Sequence, residues 1–163
     1  MKVKTLFKTL PLACLLCAGM AIAKGPVEGT IQAYVVVQDE NGKEIIQETS
    51  SAVPGQVMEY RLRFANKGES DVRGLKIVDP IPVQTIFIPD SNSTSVTSVF
   101  EVSIDGGKTF ESIPVKRIET KADGTQQEVV VPPEQYTHLR WNAADTLNSN
   151  GGTQEYAYRV RVK

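Results

Sequence analysis

Cysteine and histidine, which supply most thiol, zinc and triad chemistry, are nearly absent from this sequence. It has two cysteines, Cys14 and Cys17, and one histidine, His138. Both cysteines lie in an N-terminal segment that we expect to be removed, so the mature chain would have no disulfide, no thiol nucleophile and no thiolate metal ligand. One histidine without cysteine also argues against an ordinary zinc site. Packing alone should therefore hold the core together.

Long apolar runs are also scarce, and the one clear example is N-terminal. Three lysines precede an apolar stretch at about 10–22, which closes on the cleavage motif Ala21-Ile22-Ala23. The stretch is short for a membrane span, which needs about 20 residues, and neither cysteine lies in a lipobox. The alternative is an uncleaved anchor. We predict a signal peptide at 1–23, a periplasmic or secreted protein, and no membrane span after cleavage.

Positive charge is neither abundant nor clustered. Removing the signal takes three of the 18 basic residues and none of the 19 acidic ones, so the mature charge is 15 − 19 = −4. The longest basic run is Lys116-Arg117. A nucleic-acid binder normally concentrates positive charge on one face. We therefore predict no nucleic-acid partner.

The dominant pattern is an alternation of apolar and polar residues with a period of two. In the stretch 57–64, Met58, Tyr60, Leu62 and Phe64 share one face, and the residues between them are charged. Strands with one apolar face and one solvent-exposed face are typical of antiparallel sheets. We predict a sandwich or barrel of about seven to ten strands. The candidate strands are Thr30–Gln38, Glu44–Glu48, Val57–Phe64, Val72–Val78, Thr85–Ile88, Ser95–Ile104, Thr109–Ile113, Val115–Glu119, Gln127–Val131, Thr137–Asn142 and Tyr156–Val162.

The apolar faces of these strands should form the core of a single domain. The 140 residues of 24–163 (163 − 23) are enough for one domain with its own core. We predict burial of the residues on the inward faces, which are Met58, Tyr60, Leu62, Phe64, Leu75, Ile77, Trp141, Tyr158, Val160 and Val162.

The segment YRLRFANKGESDVRGLKIVDPIP contains two strands and the turn between them. Asn66 and Gly68 lie where the chain must turn, and both tolerate positive φ. Pro80 and Pro82 cannot donate to a ladder, so the second strand should end near Asp79. We expect the Asp79 carboxylate to accept hydrogen bonds from backbone groups just beyond it.

Several short motifs follow one another from about Val53 to Lys163. They are P-G-x-x-x-x-Y, N-x-G, an alternating strand ending D-x-x-P, an L-x-W-like strand, and L-x-x-G before the last strand. The residues that carry them are Pro54-Gly55, Tyr60, Asn66, Gly68, Leu75, Ile77, Asp79, Pro82, Leu139, Trp141, Leu147, Gly151 and the alternating Tyr156–Val162. In order and spacing they resemble the bacterial "conserved repeat" domain of unknown function (number eleven of that series), which is common in surface and secreted proteins.

The resemblance implies an immunoglobulin-like antiparallel β-sandwich of Greek-key type in the cell envelope, without catalytic residues. The chain departs from the family in three ways. It has room for one copy, where many members carry several. Asn148-Ser149-Asn150 replaces a usual proline, and the hairpin around Asp123-Gly124 resembles an insertion.

The sharpest local motif is SIDGGKTF, from Ser103 to Phe110, which matches the Asp-box of sialidases and other propellers. One copy cannot build a propeller, which requires repeated blades. We predict a structural hairpin in which Asp105 accepts hydrogen bonds from the amides of Gly107 and Lys108, with both glycines in unusual φ and Phe110 packed beneath.

Other chemistry-bearing residues lack a supporting pattern. His138 alternates with Leu139 and Trp141, so we expect it on the solvent-exposed face of its strand. No sequence motif for a catalytic nucleophile accompanies it. Strand-end aspartates could converge on calcium, although solvated turn residues are the favoured interpretation. We predict no catalytic, cofactor-binding or metal-binding residues and no cofactor. The aspartates in question are Asp39, Asp79, Asp90 and Asp105.

Two functions of different classes fit these observations. The favoured one is a non-enzymatic envelope protein, a structural or protein-binding module that docks an envelope partner, or itself, by strand addition. The strand Thr30–Gln38 is apolar enough on both faces to be covered by a partner, unless it is an inner strand. The alternative is a carbohydrate-binding module, with or without assistance from calcium, which would need an exposed aromatic platform. Its candidates are Trp141, Tyr136, Tyr156 and Tyr158.

We expect the exported protein to begin at Lys24, because the apolar stretch and the A-x-A motif together direct cleavage after Ala23. Intact-mass spectrometry of protein recovered from the periplasm or medium measures this directly. A mature species that still begins at Met1 would contradict the prediction.

Overall fold

The computed structural model describes residues 25–163, so the predicted signal peptide and its cleavage site lie outside the described residues. The regular elements of this part are β-strands and one short 3-10 helix, Pro133–Gln135. Within it, no helix is long and apolar enough to cross a bilayer. The strands are β1 (Val27–Gln38), β2 (Glu44–Glu48), β3 (Val57–Asn66), β4 (Lys76–Pro80), β5 (Thr85–Phe87), β6 (Ser93–Thr94), β7 (Ser98–Ser103), β8 (Lys116–Thr120), β9 (Gln126–Val130), β10 (His138–Ala143) and β11 (Thr153–Val162).

The strands form two packed antiparallel sheets and a separate hairpin. The large sheet has the order β2-β1-β3-β11-β5, with β6 also paired to β11. The small sheet has the order β4-β10-β7, and β8 pairs with β9 alone. The sandwich prediction is confirmed. Eleven strands are present among residues 25–163, one more than the upper end of the predicted range of seven to ten. The two-residue β6 is not among the candidate strands, whereas the candidate Thr109–Ile113 is not a strand.

The layering is immunoglobulin-like, with four strands facing three. Without β2, β6 and the β8–β9 hairpin, seven strands remain, and their order differs from the constant-type immunoglobulin arrangement. Counted along the chain, the last of these seven strands is β11. It lies between β3 and β5 in the large sheet, a position that the fifth strand along the chain occupies in immunoglobulins. The fifth strand, β7, instead pairs with β10 in the small sheet.

Three predicted strands differ from the structure by more than a shift of a few residues at one end. Val72 is not part of β4; it forms an isolated bridge with Leu147. The predicted strand Ser95–Ile104 begins as β7 at Ser98, because residues 95–97 carry the chain from the large sheet to the small one. The predicted strand Thr109–Ile113 is reduced to a single bridge between Val102 and Glu111.

The core is one aromatic-rich cluster between the sheets. Trp141 is fully buried, with its ring centroid 5.1, 5.7 and 6.0 Å from those of Phe100, Tyr156 and Tyr158. Six of the ten residues predicted to be buried are buried; the other four are half-buried and pack against the cluster. The half-buried four are Tyr60, Phe64, Leu75 and Val162.

The Asn66-x-Gly68 turn works differently from the prediction. Neither residue has positive φ. Asn66 is fully buried, and its Nδ2 donates to the carbonyls of Ser70 and Leu147 at 2.8 and 3.2 Å, while its Oδ1 accepts from the Gly68 amide. Gly68 is required for space, since a Cβ there would lie 2.5 Å from the Cβ of Pro26.

Asp79 also has a different partner from the one predicted. Ile77 and Asp79 are the buried residues of β4, and the carboxylate Oδ2 accepts a 2.6 Å hydrogen bond from the Tyr158 hydroxyl in place of downstream backbone groups. Burial raises the pKa of Asp79 above its ordinary value, although the hydrogen bond from Tyr158 and the charge of His138 act to lower it. Burial and the neighbouring carboxylate likewise raise the pKa of Tyr158 well above its usual range.

Replacing Asp79 with asparagine should change how stability depends on pH. The native state holds the Asp79 proton to a higher pH than the unfolded chain does, so this group's contribution to stability falls as pH rises above about 4. The asparagine side chain would keep a hydrogen-bond acceptor for Tyr158 without a buried charge. We therefore expect Asp79→Asn to gain stability relative to wild type between pH 4 and pH 7 in urea melts. The exposed Glu40→Gln serves as control, and a difference that stays constant with pH contradicts the prediction.

Candidate functional site

The Asp-box segment is a closed hydrogen-bonded turn. Asp105 Oδ1 accepts from the amides of Lys108 and Thr109 at 3.0 and 2.9 Å, and Oδ2 accepts from the Thr109 hydroxyl at 2.6 Å. The Gly107 amide donates to the Ser103 hydroxyl, not to Asp105 as predicted. Gly106 and Gly107 both have positive φ, which confirms that part of the prediction.

The Asp105 carboxylate is fully engaged by its own turn. Hydrogen bonds from the Thr109 hydroxyl and amide, then from Ser103, hold the pKa of this carboxyl far below its usual range. Phe110, at the end of the turn, packs outside the core: its ring lies under the guanidinium of Arg140, 4.1 Å away. These contacts give the motif a structural role, because they hold the turn that follows β7 in place.

His138 lies at the start of β10 on the face opposite Leu139 and Trp141, as the alternation predicts. It is half-buried, and its Nδ1 is 3.1 Å from the Thr137 hydroxyl. The ring also packs against Gly107 of the Asp-box turn. The neighbouring Ser103 hydroxyl donates to Asp105 and accepts from Gly107, so these contacts position a turn.

The four aspartates considered for calcium do not converge. Asp39 accepts hydrogen bonds from the amides of Asn41 and Lys43, Asp79 faces Tyr158, and Asp105 closes its own turn. Asp90 occupies a positive-φ position. Within residues 25–163, no group of three or more His, Cys, Asp or Glu side chains could hold a metal ion.

The four aromatic side chains considered for sugar binding do not form an exposed platform. Trp141, Tyr156 and Tyr158 are at most 1% exposed, and Tyr136 is 7% exposed. Sugar stacking requires an accessible ring face, so the observation that would favour the carbohydrate-binding alternative is missing. These rings stabilise the core instead.

The candidate site is the outward face of the β8–β9 hairpin. The hairpin is anchored by the buried Val115 and Val131, which flank it, and five residue pairs hold its strands together. Among the described residues neither strand pairs with a third, so both edges keep unpaired backbone groups. One face carries Ile118 and Val130, which are 62% and 58% exposed and diagonal to one another in the register.

Charge frames this apolar pair. On the same face, Lys116 and Glu128 form the opposite diagonal, with a 2.7 Å ion pair. On the other face, Arg117 makes two hydrogen bonds to the Glu111 carboxylate, which ties the hairpin to the domain. Ile118 and Val130 are therefore held outward, away from the body of the domain.

The sequence indicates that this hairpin is an apparent insertion, but it does not predict the exposed face. The strand predicted as a possible partner surface, Thr30–Gln38, lies within β1, which is paired on both sides, by β2 and by β3, at Tyr34–Val36. Ile118 and Val130 belong to segments that the sequence predicts as ordinary strands. The hairpin differs from those predicted strands only because, among the described residues, neither of its strands pairs with a third. A scan against protein-family models and a search of curated proteins find no match to this chain.

We expect Asp105→Ala to lower stability equally with EDTA and with excess calcium, because the carboxylate serves its own turn. Its pKa is lowered on folding, so its stabilising contribution exists above the unfolded value near 4 and is lost as the solution becomes more acidic. Thermal melts at pH 7 and pH 3 should therefore show a smaller deficit at pH 3. Glu69→Ala, an exposed acidic control, should show neither effect. A calcium-dependent gain in the wild type that the variant lacks would contradict this interpretation.

Proposed function

We propose that this chain is a non-enzymatic exported cell-envelope protein, periplasmic or secreted, acting as an immunoglobulin-like structural or protein-binding module of the conserved-repeat type. The observation that carries the proposal is the β8–β9 hairpin, whose two outer strand edges are unpaired within residues 25–163 and lie beside the exposed Ile118 and Val130. The cleavage motif at Ala21-Ile22-Ala23 supports export.

Strand addition is the docking mode that suits such a hairpin. An isolated two-stranded hairpin is marginally stable in water, and open edges are normally shielded against unwanted pairing. A partner strand would satisfy a row of backbone donors and acceptors and could cover the apolar pair in the same step. The partner is then an extended segment of another envelope protein, or the same hairpin of a second copy.

The resemblance also supports a role without chemistry. Asn66, Gly68, Leu147 and Gly151, four of its motif residues, lie together at one hydrogen-bonded junction. Their backbone and side-chain groups bond one another, so these positions serve the fold. Any function of the domain would then depend on its outward surfaces.

A photo-crosslinking residue placed at position 118 tests the proposal in cells that export the full chain. We expect one discrete adduct, with either an envelope protein or a second copy of the chain. Val83 is the control, because it is apolar and 85% exposed but lies outside the hairpin. Equal labelling from both positions, or no adduct from position 118, would refute a docking role for this face.

A further inference from the structure

The outer face of the large sheet contains a groove. It consists of two depressions of about 560 and 370 Å³ that share Glu59, Ser93 and Ala157. Strands β3 and β11 form its floor, and the segment Ile88–Ser95 forms one wall. Ala157 is the smallest outward residue of β11, and its short side chain leaves the space where the two depressions meet.

Four arginines line the floor of this groove. Arg61 and Arg63 project from β3, and Arg159 and Arg161 project from β11. Each pair is separated by one residue, which places successive outward side chains about 6.8 Å apart along a strand. An extended chain with an acidic side chain at every second position has the same spacing.

One buried carboxylate orients two of these guanidinium groups. Glu59 is only 7% exposed, and it accepts hydrogen bonds from Arg61 Nε at 2.7 Å and Arg159 Nε at 2.9 Å. Burial raises the pKa of Glu59, but the two arginines outweigh it and the net pKa is lowered, so the carboxylate stays charged. Its hold on both Nε atoms fixes the planes of the guanidinium groups.

The terminal nitrogens of the arginines are largely unused. Within residues 25–163, neither terminal nitrogen of Arg61 has a hydrogen-bond partner, and Arg159 commits only Nη1, to Glu44. Arg161 makes a single 3.4 Å bond to the Gly55 carbonyl, and Arg63 approaches Glu155 at 3.5 Å. Oriented guanidinium groups with open N–H pairs match the geometry of a carboxylate.

Acidic residues between the arginines restrict what can bind. Glu44, Glu59, Asp90 and Glu155 also line the groove, so a uniformly charged polyanion would meet repulsion at several points. In the β3–β11 register, Glu59 and Glu155 lie directly opposite two of the arginines. A chain whose carboxylates are separated by neutral residues can contact the open N–H groups of the arginines while bringing fewer charges close to these carboxylates. Its lower charge density favours an alternating acidic peptide over a polyphosphate or a sulfated polysaccharide.

We propose that this groove binds an extended acidic peptide segment of a partner protein, with carboxylates at alternate positions contacting Arg61, Arg63, Arg159 and Arg161. The site is distinct from the β8–β9 hairpin in its residues and in its chemistry. It recognises side-chain charge, whereas the hairpin offers backbone hydrogen bonds, so either site can fail without the other.

The direct test uses fluorescence anisotropy with a labelled peptide of four Thr-Glu repeats, and with the matched Thr-Gln peptide. We expect saturable binding of the Thr-Glu peptide that weakens with added salt, and no binding of the Thr-Gln peptide. The variant Arg63→Gln/Arg161→Gln leaves the Glu59 interactions intact and should weaken binding about tenfold, since it removes two solvent-exposed ion pairs with the peptide.

The control variant Lys67→Gln/Arg73→Gln makes the same change in net charge at exposed positions that do not line the groove, and should bind as wild type does. A urea melt verifies that each variant is folded. Ala157→Glu, which places a carboxylate where the depressions meet, should also abolish binding and gives a second variant if the first is unstable.

Four results would overturn the proposal. The first three are the absence of saturable Thr-Glu binding, equal loss of affinity in the groove and control variants, and tighter binding of polyphosphate or heparin through the same arginines. Tighter binding of these polyanions would reassign the groove to general polyanion binding. The fourth is peptide binding that persists in the Ala157→Glu variant, which would place the peptide outside the groove.

Discussion

The buried Asn66 joins two parts of the chain that are distant in sequence, the end of β3 and the segment 147–152 that precedes β11. It donates to the carbonyls of Ser70 and Leu147, and its backbone bonds Gly151 and Gly152 just before β11 begins. The end of β3 is thereby fixed opposite the start of β11. Because side chains alternate with a period of two, a slip of one residue in this pairing would exchange the inner and outer faces of β11. Tyr156 and Tyr158 would face solvent, and Arg159 would enter the core.

With the register fixed, packing can stabilise the domain without a disulfide. Trp141 illustrates the balance, since its indole N–H is buried and has no hydrogen-bond partner among the described residues. Leaving such a donor unpaired costs about 1–3 kcal/mol. Burying roughly 200 Å² of aromatic surface stabilises by about 5 kcal/mol at 25 cal/mol/Å². Burial therefore outweighs the unpaired donor, and the ring is stable at the centre of the cluster, out of reach of any sugar.

The sequence was most informative where local pattern decides the structure. Strand β2 has its predicted bounds, and the alternation in β3, β10 and β11 assigned their faces correctly. The predictions failed where a polar residue has a distant partner. Asp79 bonds a tyrosine 79 positions away, and the space around Gly68 is set by Pro26. Both surfaces with a proposed role were missed because they depend on contacts that no local pattern reports. Glu59 meets Arg159 across 100 positions, and β8 and β9 pair with no third strand in the part of the chain that the structure describes.

The two outward surfaces place different demands on the fold. Most outer residues of the large sheet can change without affecting the core, because the pleat separates the faces. Glu59 is the exception. It faces outward and yet is buried, so its loss would leave the Nε groups of Arg61 and Arg159 without their shared acceptor. The hairpin is subject to no such constraint, since backbone pairing tolerates many sequences. A partner bound through the hairpin could thus be exchanged by small sequence changes, whereas recognition in the groove is tied to the same β3–β11 register that builds the core.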